Sequence, residues 1–379
     1  QVDATRGLLW YDVAARGGDQ AVVKRGTGYA FYGGRHQIAT TKQSRVKTRL
    51  FAKALRQLME NSSDIFIVGH KHPDMDCLGS ALGLMRCAIT VGCHVYFVLD
   101  HKNSMIENAL SVMSRNPLYA NSIKTPEQAM QMIKPSSVLI TVDTQRESSM
   151  LAPGLLKVAA KKVVIDHHRR AIDSISNATL SYLESSASSI CEIVAEVIQY
   201  FDENIRPSSF ECEAMLAGIT IDTKRFTINT GARTFEAASF LKKYAPDVTT
   251  MNQLYQDDMA SYTARATVIE RAEMLDDGIA ISTCPSDIEN PALLAAQAAD
   301  TLVDIRGIQA AFVLAKTENE IVISGRSRGS INVQLILEAM GGGGHMSAAG
   351  AQLSGITMED AVKMLKGSIA DYYKEGKIE

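Results

Sequence analysis

Residues 65–76 of the chain read IFIVGHKHPDMD, an apolar run followed by two histidines and two aspartates. The apolar part, Ile65 to Val68, is continuous and rich in β-branched residues, which is typical of a strand buried on both faces of a parallel sheet. In open α/β sheets, ligands bind beyond the carboxyl ends of the strands. The segment therefore predicts a strand that delivers polar side chains to a ligand site.

The same arrangement occurs twice more along the chain. Asp143 follows the apolar run Val138 to Val142, and Asp166-His167-His168 follows Val163 to Ile165. Helical patterns separate these runs, and the intervening segments are long enough for crossovers between parallel strands. We therefore expect the three polar clusters to meet at one edge of one sheet.

A fourth acidic residue, Asp222, ends the apolar run Met215 to Ile221. Carboxylates gathered closely raise each other's pKa unless cations neutralise them, and carboxylate with imidazole suits Mn²⁺ or a similar first-row ion. Two such ions about 3.5–4 Å apart activate a water and stabilise charge on phosphoryl oxygens. Taken alone, Asp143 would be interpreted as a helix N-cap, but four such clusters in one chain favour a metal centre.

The series His70-x-x-x-Asp74-x-Asp76, Asp143, Asp166-His167-His168 and Asp222 resembles the motifs of the DHH phosphoesterase superfamily. This resemblance spans residues 62–225 and implies an α/β domain with a mainly parallel sheet flanked by helices. It also implies two Mn²⁺ ions per chain. One ion would be bound by His70, Asp74 and Asp143, and the other by Asp76, Asp143, His167 and Asp222.

Three nearby features receive other interpretations. The resemblance implies that His168 faces the substrate phosphate as a donor or proton carrier, and that Asp166 orients a histidine. His72 has no counterpart in the family and is interpreted as a solvated loop residue. One serine of Ser185 to Ser189 is predicted to cap the helix that follows.

Residues 341–350 read GGGGHMSAAG, and residues 324–328, which end a predicted strand, read SGRSR. Glycine runs are usually linkers, but a bend inside a folded unit would let backbone amides approach an anion, and arginines suit phosphate contact. Together with Ile331-Asn332-Val333, these segments resemble the DHHA1 domain, a smaller α+β domain that closes over the catalytic domain in that family. The resemblance implies substrate binding by Arg326, Ser327, Gly342, Gly343, Gly344 and His345.

The N-terminal part carries a further resemblance. Residues 15–24, ARGGDQAVVK, followed by YGG at 32–34, are similar to the end of the degenerate GGDEF domain in GdpP-type membrane-anchored enzymes. In that family the upstream part holds two transmembrane helices, a PAS domain and the rest of the GGDEF domain. The organisation expected along the chain is a GGDEF remnant and linker at 1–42, a linker helix at 43–60, the DHH domain at 61–250, a connecting helix at 251–275 and the DHHA1 domain at 276–379.

Composition restricts the remaining possibilities. The 379 residues, 46% of them apolar, allow two packed domains, and the formal net charge of -3 offers no basic field for long nucleic acid. The six cysteines have no metal-like spacing, which favours reduced thiols in the cytoplasm. No apolar run is long enough to cross a bilayer. We expect this part of the protein to be soluble, and the full-length protein to be held at the cytoplasmic face of the membrane by upstream segments.

The DHH–DHHA1 pairing and the N-terminal resemblance together imply a phosphodiesterase that hydrolyses cyclic di-AMP to linear pApA and lowers this second messenger. Two alternatives stay open: an oligoribonuclease or pAp phosphatase that acts on short linear nucleotides, and a nucleotide sensor without catalysis. Free-standing oligoribonucleases lack the N-terminal stretch, and sensors usually lose a metal ligand, whereas the motif series here is complete. The family also leads us to expect a homodimer.

Overall fold

The computed structural model describes residues 20–25, 28–33, 41–62, 64–100, 106–168, 173–244, 246–254, 259–285, 288, 290–318 and 320–375, with backbone alone for 20–25, 28–33, 41–44, 345 and 375. The chain divides into two compact units, Gln1–Gln256 and Asp257–Glu379, called unit 1 and unit 2 below. Most of the predicted GGDEF remnant lies outside the described residues. Its described part is an antiparallel hairpin of β1 (Gln20–Arg25) and β2 (Gly28–Gly33).

Unit 1 contains a parallel sheet, which has six strands among the described residues. Its spatial order is β5 (Ile123–Lys124), β4 (His94–Val98), β3 (Asp64–Val68), β6 (Val138–Val142), β7 (Lys161–Asp166) and β8 (Leu180–Leu183). All neighbouring strands run parallel. The strands that precede the three polar clusters, β3, β6 and β7, are adjacent, so the prediction that these strands share one edge is confirmed.

Helices cover both faces of this sheet. They are α1 (Thr41–Glu60), α2 (Met75–Thr90), α3 (Glu107–Arg115), α4 (Pro126–Met132), α5 (Leu155–Val158), α6 (Ile190–Phe201), α7 (Ser209–Asp222), α8 (Ala232–Lys242) and α9 (Val248–Gln253). Ile65 and Ile67 of β3 pack into a core with α1, α2, α6 and α7, whereas Phe66 and Val68 pack with α4 and α5. Burial on both faces explains why the strands are continuous apolar runs. Of the helices described here and in unit 2, none is long and apolar enough to span a bilayer.

Helix α1 belongs to the core of unit 1. Phe51, Ala52, Leu55 and Met59 are buried on one face of the helix, in the same cluster as residues of α2 and α6. The residues repeat at three- and four-residue intervals, which is the apolar stripe of an amphipathic helix. The predicted linker helix is therefore anchored to the core of unit 1 through its C-terminal half.

Helices α2 and α7 pack unusually closely because glycines lie at their contact. A β-carbon on Gly218 of α7 would be 2.6 Å from Cys191 Sγ and 2.8 Å from the α-carbon of Asp76. A β-carbon on Gly79 of α2 would be 2.6 Å from the carbonyl oxygen of Ala214. Both positions exclude any larger side chain at these distances, so the glycines allow α7 to carry its C-terminal end up to α2.

Unit 2 is an α+β domain, as predicted. Its elements are α10 (Met259–Glu270), β9 (Glu273–Leu275), β10 (Ile279–Thr283), α11 (Pro291–Asp304), β11 (Ala310–Lys316), β12 (Glu320–Ser327), α12 (Val333–Glu338), β13 (Gly343–His345), β14 (Ala348–Ser354) and α13 (Met358–Glu375). The sheet order is β13-β14-β12-β11-β10-β9, and in the described part only β10 and β11 pair in parallel. Helices α12 and α13 cover one face of the sheet, and α10 and α11 the other.

The prediction of a connecting helix at 251–275 is wrong for the C-terminal end of that range. Helix α10 ends at Glu270, and Glu273–Leu275 forms a strand that pairs antiparallel with β10. A tight turn at Asp276–Gly278 joins the two strands, with Asp277 (φ 59°) and Gly278 (φ 73°) in the left-handed region. Pairing with β10 supplies hydrogen bonds that outweigh the weak local helix preference of this segment.

The close packing of α2 and α7 predicts opposite effects of the same substitution at two helical glycines. Gly218→Ala should lower the free energy of unfolding by about 1 kcal/mol or more, because overpacking costs roughly 1–3 kcal/mol and exceeds the helix-propensity gain. Gly367→Ala in α13 is the matched control, since the new β-carbon would have no atom of the described residues within 4 Å. We expect a gain of about 0.5–1 kcal/mol there.

Urea unfolding, followed for the unit that carries each change, measures both effects. Gly218→Ala and Gly367→Ala changing stability in the same direction would contradict the packing described here.

Candidate metal centre

The predicted ligands lie where secondary-structure elements begin or end at one edge of the unit 1 sheet. His70 follows β3, Asp74 caps the N-terminus of α2, Asp76 lies in its first turn, Asp143 follows β6, His167 and His168 follow β7, and Asp222 is the last residue of α7. The adjacent parallel strands β3, β6 and β7 deliver His70, Asp143 and the His167–His168 pair to the same side of the sheet. The described structure therefore gathers all the sequence-predicted ligands of unit 1.

These side chains form three overlapping groups whose ligand atoms lie within 4.8 Å of one another. The groups are His70, Asp74 and Asp143; Asp76, His167 and Asp222; and Asp143, His167 and His168. The first group has the same members as the set that the resemblance implies for one ion, and the second has those implied for the other ion except Asp143. His72 belongs to no such group among the described residues and is exposed, in line with its interpretation as a loop residue.

Asp143 lies between the first two groups. Its Oδ2 is 3.2 Å from His70 Nε2, and its Oδ1 is 3.7 Å from His167 Nε2. The residue adopts a left-handed conformation (φ 58°), which aspartate tolerates better than most residues, and its amide donates to the carbonyl of Ile165 at 3.1 Å. The end of β6 is thereby held against β7 while the carboxylate points between the two histidines.

The Asp143 carboxylate has the properties of a cation ligand. Its Oδ1 is buried and has no hydrogen-bond partner among the described residues. Burial, followed by the negative charges of Asp74 and Asp76, raises the pKa of Asp143 well above its usual range. An ionised carboxylate in this position needs positive charge nearby. The donor set of carboxylates and imidazoles fits divalent first-row metal ions.

The other carboxylates experience the same repulsion. Burial and then the charge of Asp76 raise the pKa of both Asp74 and Asp222. Part of the negative charge is offset by helix N-termini, whose free amides and dipoles favour anions. Asp74 Oδ1 accepts from the amides of Asp76 and Cys77, each at 3.0 Å.

Each histidine of the DHH triplet is oriented through its Nδ1 atom. His167 Nδ1 lies 3.4 Å from the carbonyl oxygen of Ala187, so with Nδ1 as donor its Nε2 keeps a lone pair directed at Asp143 and Asp222. His168 Nδ1 is 2.7 Å from Asp166 Oδ1. Burial lowers the pKa of His168, but the hydrogen bond and charge of Asp166 outweigh it and raise that pKa to about 9.

Sequence reasoning missed two groups that hold the triplet in place. The Gln145 side chain donates to the carbonyl of His168 at 3.1 Å and accepts from Ser174 Oγ at 3.0 Å. The carbonyl of Ala187 orients His167, as described above. Gln145 could have attracted notice because it lies two residues after Asp143, but a backbone carbonyl carries no signal in the sequence. The predicted serine cap is confirmed, since Ser189 Oγ accepts from the amide of Glu192 at 3.1 Å.

In unit 2, Arg326 and His345 lie in one row across three strands. Arg326 of β12 is opposite Ala348 of β14, which is opposite His345 of β13. Arg326 Nε donates to Asp300 Oδ1 at 3.1 Å. Ser327 is the next residue along β12, so its side chain leaves the opposite face of the strand. Its Oγ accepts from the amide of Gly329 at 3.0 Å.

The glycine run of unit 2 forms a closely packed turn and strand. A β-carbon on Gly342 would be 2.3 Å from the carbonyl oxygen of Gly350, and Gly344 has a φ of 149°. Backbone approaches of this kind require glycine. The interpretation of the run as a bend inside a folded unit, and not as a linker, is consistent with this packing.

The repulsion within the acidic cluster predicts that Asp222→Asn stabilises the metal-free protein. Because the folded-state pKa of Asp222 is raised, this group costs stability at any pH above its ordinary pKa range, and the cost shrinks as the pH falls from the raised pKa toward that ordinary range. Removal of the charge should raise the free energy of unfolding of unit 1 in EDTA by on the order of 1 kcal/mol. The same variant should lose most of the stabilisation that Mn²⁺ gives the parent chain.

Thermal unfolding in EDTA and in excess Mn²⁺ measures both effects. Asp173→Asn is the control, because Asp173 is a half-exposed carboxylate that accepts from Arg146 and Ser148 outside the cluster. A lower stability of Asp222→Asn in EDTA, or an undiminished response to Mn²⁺, would contradict the electrostatic account.

Comparison with known proteins identifies both units. Residues 64–219 match the model of the DHH family, N-terminal domain, and residues 276–371 match the model of the DHHA1 domain. The cyclic-di-AMP phosphodiesterase PdeA of Listeria monocytogenes is 39% identical over 364 residues, which cover 95% of this chain and 55% of that protein. The cyclic-di-AMP phosphodiesterase GdpP of Geobacillus thermodenitrificans is 41% identical over 367 residues, covering 96% and 56%. The chain spans a little over half the length of these curated relatives.

A solved structure has the same fold. The crystal structure of an exopolyphosphatase-related protein from Bacteroides fragilis superposes with a TM-score of 0.73 at 20% identity, covering 87% of this chain and 96% of that one. This likeness concerns the fold alone. The chain therefore belongs to the proteins that carry a DHH-family N-terminal domain followed by a DHHA1 domain.

Proposed function

We propose that this chain is the catalytic part of a metal-dependent phosphodiesterase that hydrolyses cyclic di-AMP to linear pApA. The observation that carries the proposal is the buried Asp143 carboxylate, which has an oxygen without a hydrogen-bond partner among the described residues and belongs to two of the three groups of potential metal ligands. Similarity to two cyclic-di-AMP phosphodiesterases over 95% and 96% of the chain supports the choice of substrate.

The proposed ligand sets share one residue. His70, Asp74 and Asp143 would hold one Mn²⁺ ion, and Asp76, Asp143, His167 and Asp222 would hold the other. When bound, the two ions supply Lewis-acid chemistry, which stabilises charge on the phosphoryl oxygens and lowers the pKa of a water. The protein contributes a fixed geometry. The amide of Asp143 is held by the carbonyl of Ile165, and the rings of His167 and His168 are held by the carbonyl of Ala187 and the carboxylate of Asp166.

His168 is the proposed proton carrier. Its side chain is 57% exposed whereas that of His167 is 17% exposed, so His168 is the histidine of the triplet that a substrate can reach. Asp166 holds its Nδ1, and its hydrogen bond and charge favour the protonated ring in the metal-free protein. In the hydrolysis, water adds to phosphorus, the bond to the 3′-oxygen breaks, and a proton passes to that oxygen. The product is a linear dinucleotide with a 5′-phosphate and a free 3′-hydroxyl.

Unit 2 supplies the proposed nucleotide contacts. Arg326 and His345 share one row of the sheet. Gly342, Gly343 and Gly344 have no side chains and would let an anion approach the backbone of the run, while the Gly342 amide itself donates to the carbonyl of Leu337 at 2.8 Å. Ser327, which the sequence resemblance included in this set, is left out of the proposal. Its side chain leaves the opposite face of β12, and its hydroxyl already accepts a hydrogen bond from Gly329.

The remaining expectations stay predictions. These are a homodimer, a membrane anchor in a longer protein, and Mn²⁺ as the metal in the cell. An oligoribonuclease or pAp phosphatase and a non-catalytic sensor are the outcomes against which the proposal is tested below.

Substitution of the proposed ligands should abolish turnover. Asp143→Asn and His167→Ala are each expected to lower kcat with cyclic di-AMP and Mn²⁺ by at least about 1,000-fold, or roughly 4 kcal/mol of barrier, because charge stabilisation by the metal pair is lost. His72→Ala, in the loop after β3 that also carries His70, is the control and should keep near-normal rates. Steady-state kinetics on folded variants measures this, and near-normal turnover in either ligand variant would refute the assignment.

Product analysis should separate the substrate classes. With cyclic di-AMP, cyclic di-GMP and pApA supplied in parallel, we expect the fastest reaction with cyclic di-AMP and pApA as its product. Chromatography of the reaction mixtures gives the relative rates. Faster cleavage of pApA than of cyclic di-AMP would favour the oligoribonuclease alternative, and binding of cyclic di-AMP without cleavage would favour the sensor.

A further inference from the structure

The first turn of α6 holds two of the proposed metal ligands at once. The amide of Ile190 donates to Asp76 Oδ2 at 2.6 Å, and the amide of Cys191 donates to Asp76 Oδ1 at 2.8 Å. The carbonyl of Ala187, just before the helix, lies 3.4 Å from His167 Nδ1. Asp76 and His167 belong to the same group of potential ligands, together with Asp222. The position of residues 187–191 therefore sets the position of two of its three members.

A buried carboxylate, that of Glu192, holds this turn in place. Glu192 Oε2 accepts from Ser188 Oγ at 2.6 Å and from the Ser188 amide at 3.3 Å. The same oxygen accepts from Thr234 Oγ1 of α8 at 2.7 Å. Glu192 is 1% exposed. Its carboxylate thus ties the segment before α6 to a second helix that follows the Asp222 end of α7.

Helix capping alone does not account for this arrangement. In a capping box the third residue of the helix returns to the amide of the N-cap residue itself. Ser189 is the N-cap here, but Glu192 bonds Ser188 and Thr234 instead. A buried carboxylate is costly unless its hydrogen bonds are satisfied. Two hydroxyls and an amide donate to Glu192 Oε2, while Oε1 has Arg233 Nε at 3.7 Å.

We propose that Glu192 is a positioning residue for the metal ion held by Asp76, His167 and Asp222. Its described hydrogen bonds go to Ser188 and Thr234, so it acts on Asp76 and His167 through the 187–191 segment. The inference rests on the proposed function, because it assumes that these side chains bind a cation. Partners of metal ligands that lie one contact away typically change metal affinity by about 10–100-fold when they are removed.

The test is a calorimetric titration of the full chain with Mn²⁺ alone. Glu192→Ala should lower the affinity for one of the two Mn²⁺ ions by about 10–100-fold. The affinity for the other ion, held by His70, Asp74 and Asp143, should stay within about threefold of the parent value. Glu192→Gln keeps one acceptor oxygen for Ser188 Oγ and Thr234 Oγ1, so it should recover most of the lost affinity. This rescue distinguishes positioning from a general loss of packing.

Glu196→Ala is the matched control. Glu196 lies one turn further along α6, makes two bonds of 2.9 Å to Arg233, and has no bond to the 187–191 segment among those described. Its loss should destabilise the fold, as thermal unfolding reports, while both Mn²⁺ affinities stay within about threefold of the parent. If Glu192→Ala does not fold, Ser188→Ala replaces it, since it removes the 2.6 Å bond and should weaken the same ion several-fold.

The outcomes separate the two proposals. Fewer than two Mn²⁺ ions bound by the parent chain would overturn the proposed function, and with it this inference. Two ions bound by the parent with unchanged affinities in Glu192→Ala, or in Ser188→Ala as its substitute, would overturn the inference alone. Equal losses in Glu192→Ala and Glu196→Ala would also overturn it, because they would indicate loosening of α6 as a whole. A selective loss that Glu192→Gln restores supports it.

Discussion

Mutual repulsion among four carboxylates at one edge of a parallel sheet is the constraint on which the arrangement of unit 1 depends. Asp74, Asp76, Asp143 and Asp222 are brought together from two helix ends and a strand end, and the pKa of Asp143 is raised well above its usual range. Such a cluster is unfavourable without compensating positive charge. The fold therefore stores an electrostatic cost in the metal-free protein that divalent cations can relieve.

The architecture around the cluster reduces this cost and keeps its geometry. The N-terminus of α2 donates amides to Asp74, and the N-terminus of α6 donates amides to both oxygens of Asp76. Glycines between α2 and α7 allow Asp222 to approach the other acids. The helix termini and the glycine contacts thus position the metal ligands as well as the core. Metal sites tolerate only small displacements of their ligands, so loss of either kind of contact would disturb the site.

Much of the architecture could be predicted because the informative residues are local. A continuous β-branched run followed by polar residues specifies a buried parallel strand and its functional end, which is why β3, β6 and β7 were located correctly. The strand at Glu273–Leu275 was missed because three residues carry too little pattern, and its hydrogen-bond partners come from β10. Ser327 entered the predicted substrate-binding set with Arg326 through the DHHA1 resemblance, which does not register that neighbouring strand residues face opposite sides.

Carboxylates and imidazoles at strand and helix ends indicated the candidate ligands, and the family resemblance assigned them to two ions. The sequence pattern could not reveal what orients those ligands. Asp76 is held by the amides of Ile190 and Cys191, and His167 by the carbonyl of Ala187. Every residue has a carbonyl and nearly every residue an amide, so these contacts leave no mark in the amino-acid pattern. The packing of α6 against α2 and β7 determines which peptide groups contact Asp76 and His167. The role proposed for Glu192 depends on that packing, because its carboxylate bonds the segment that carries these peptide groups.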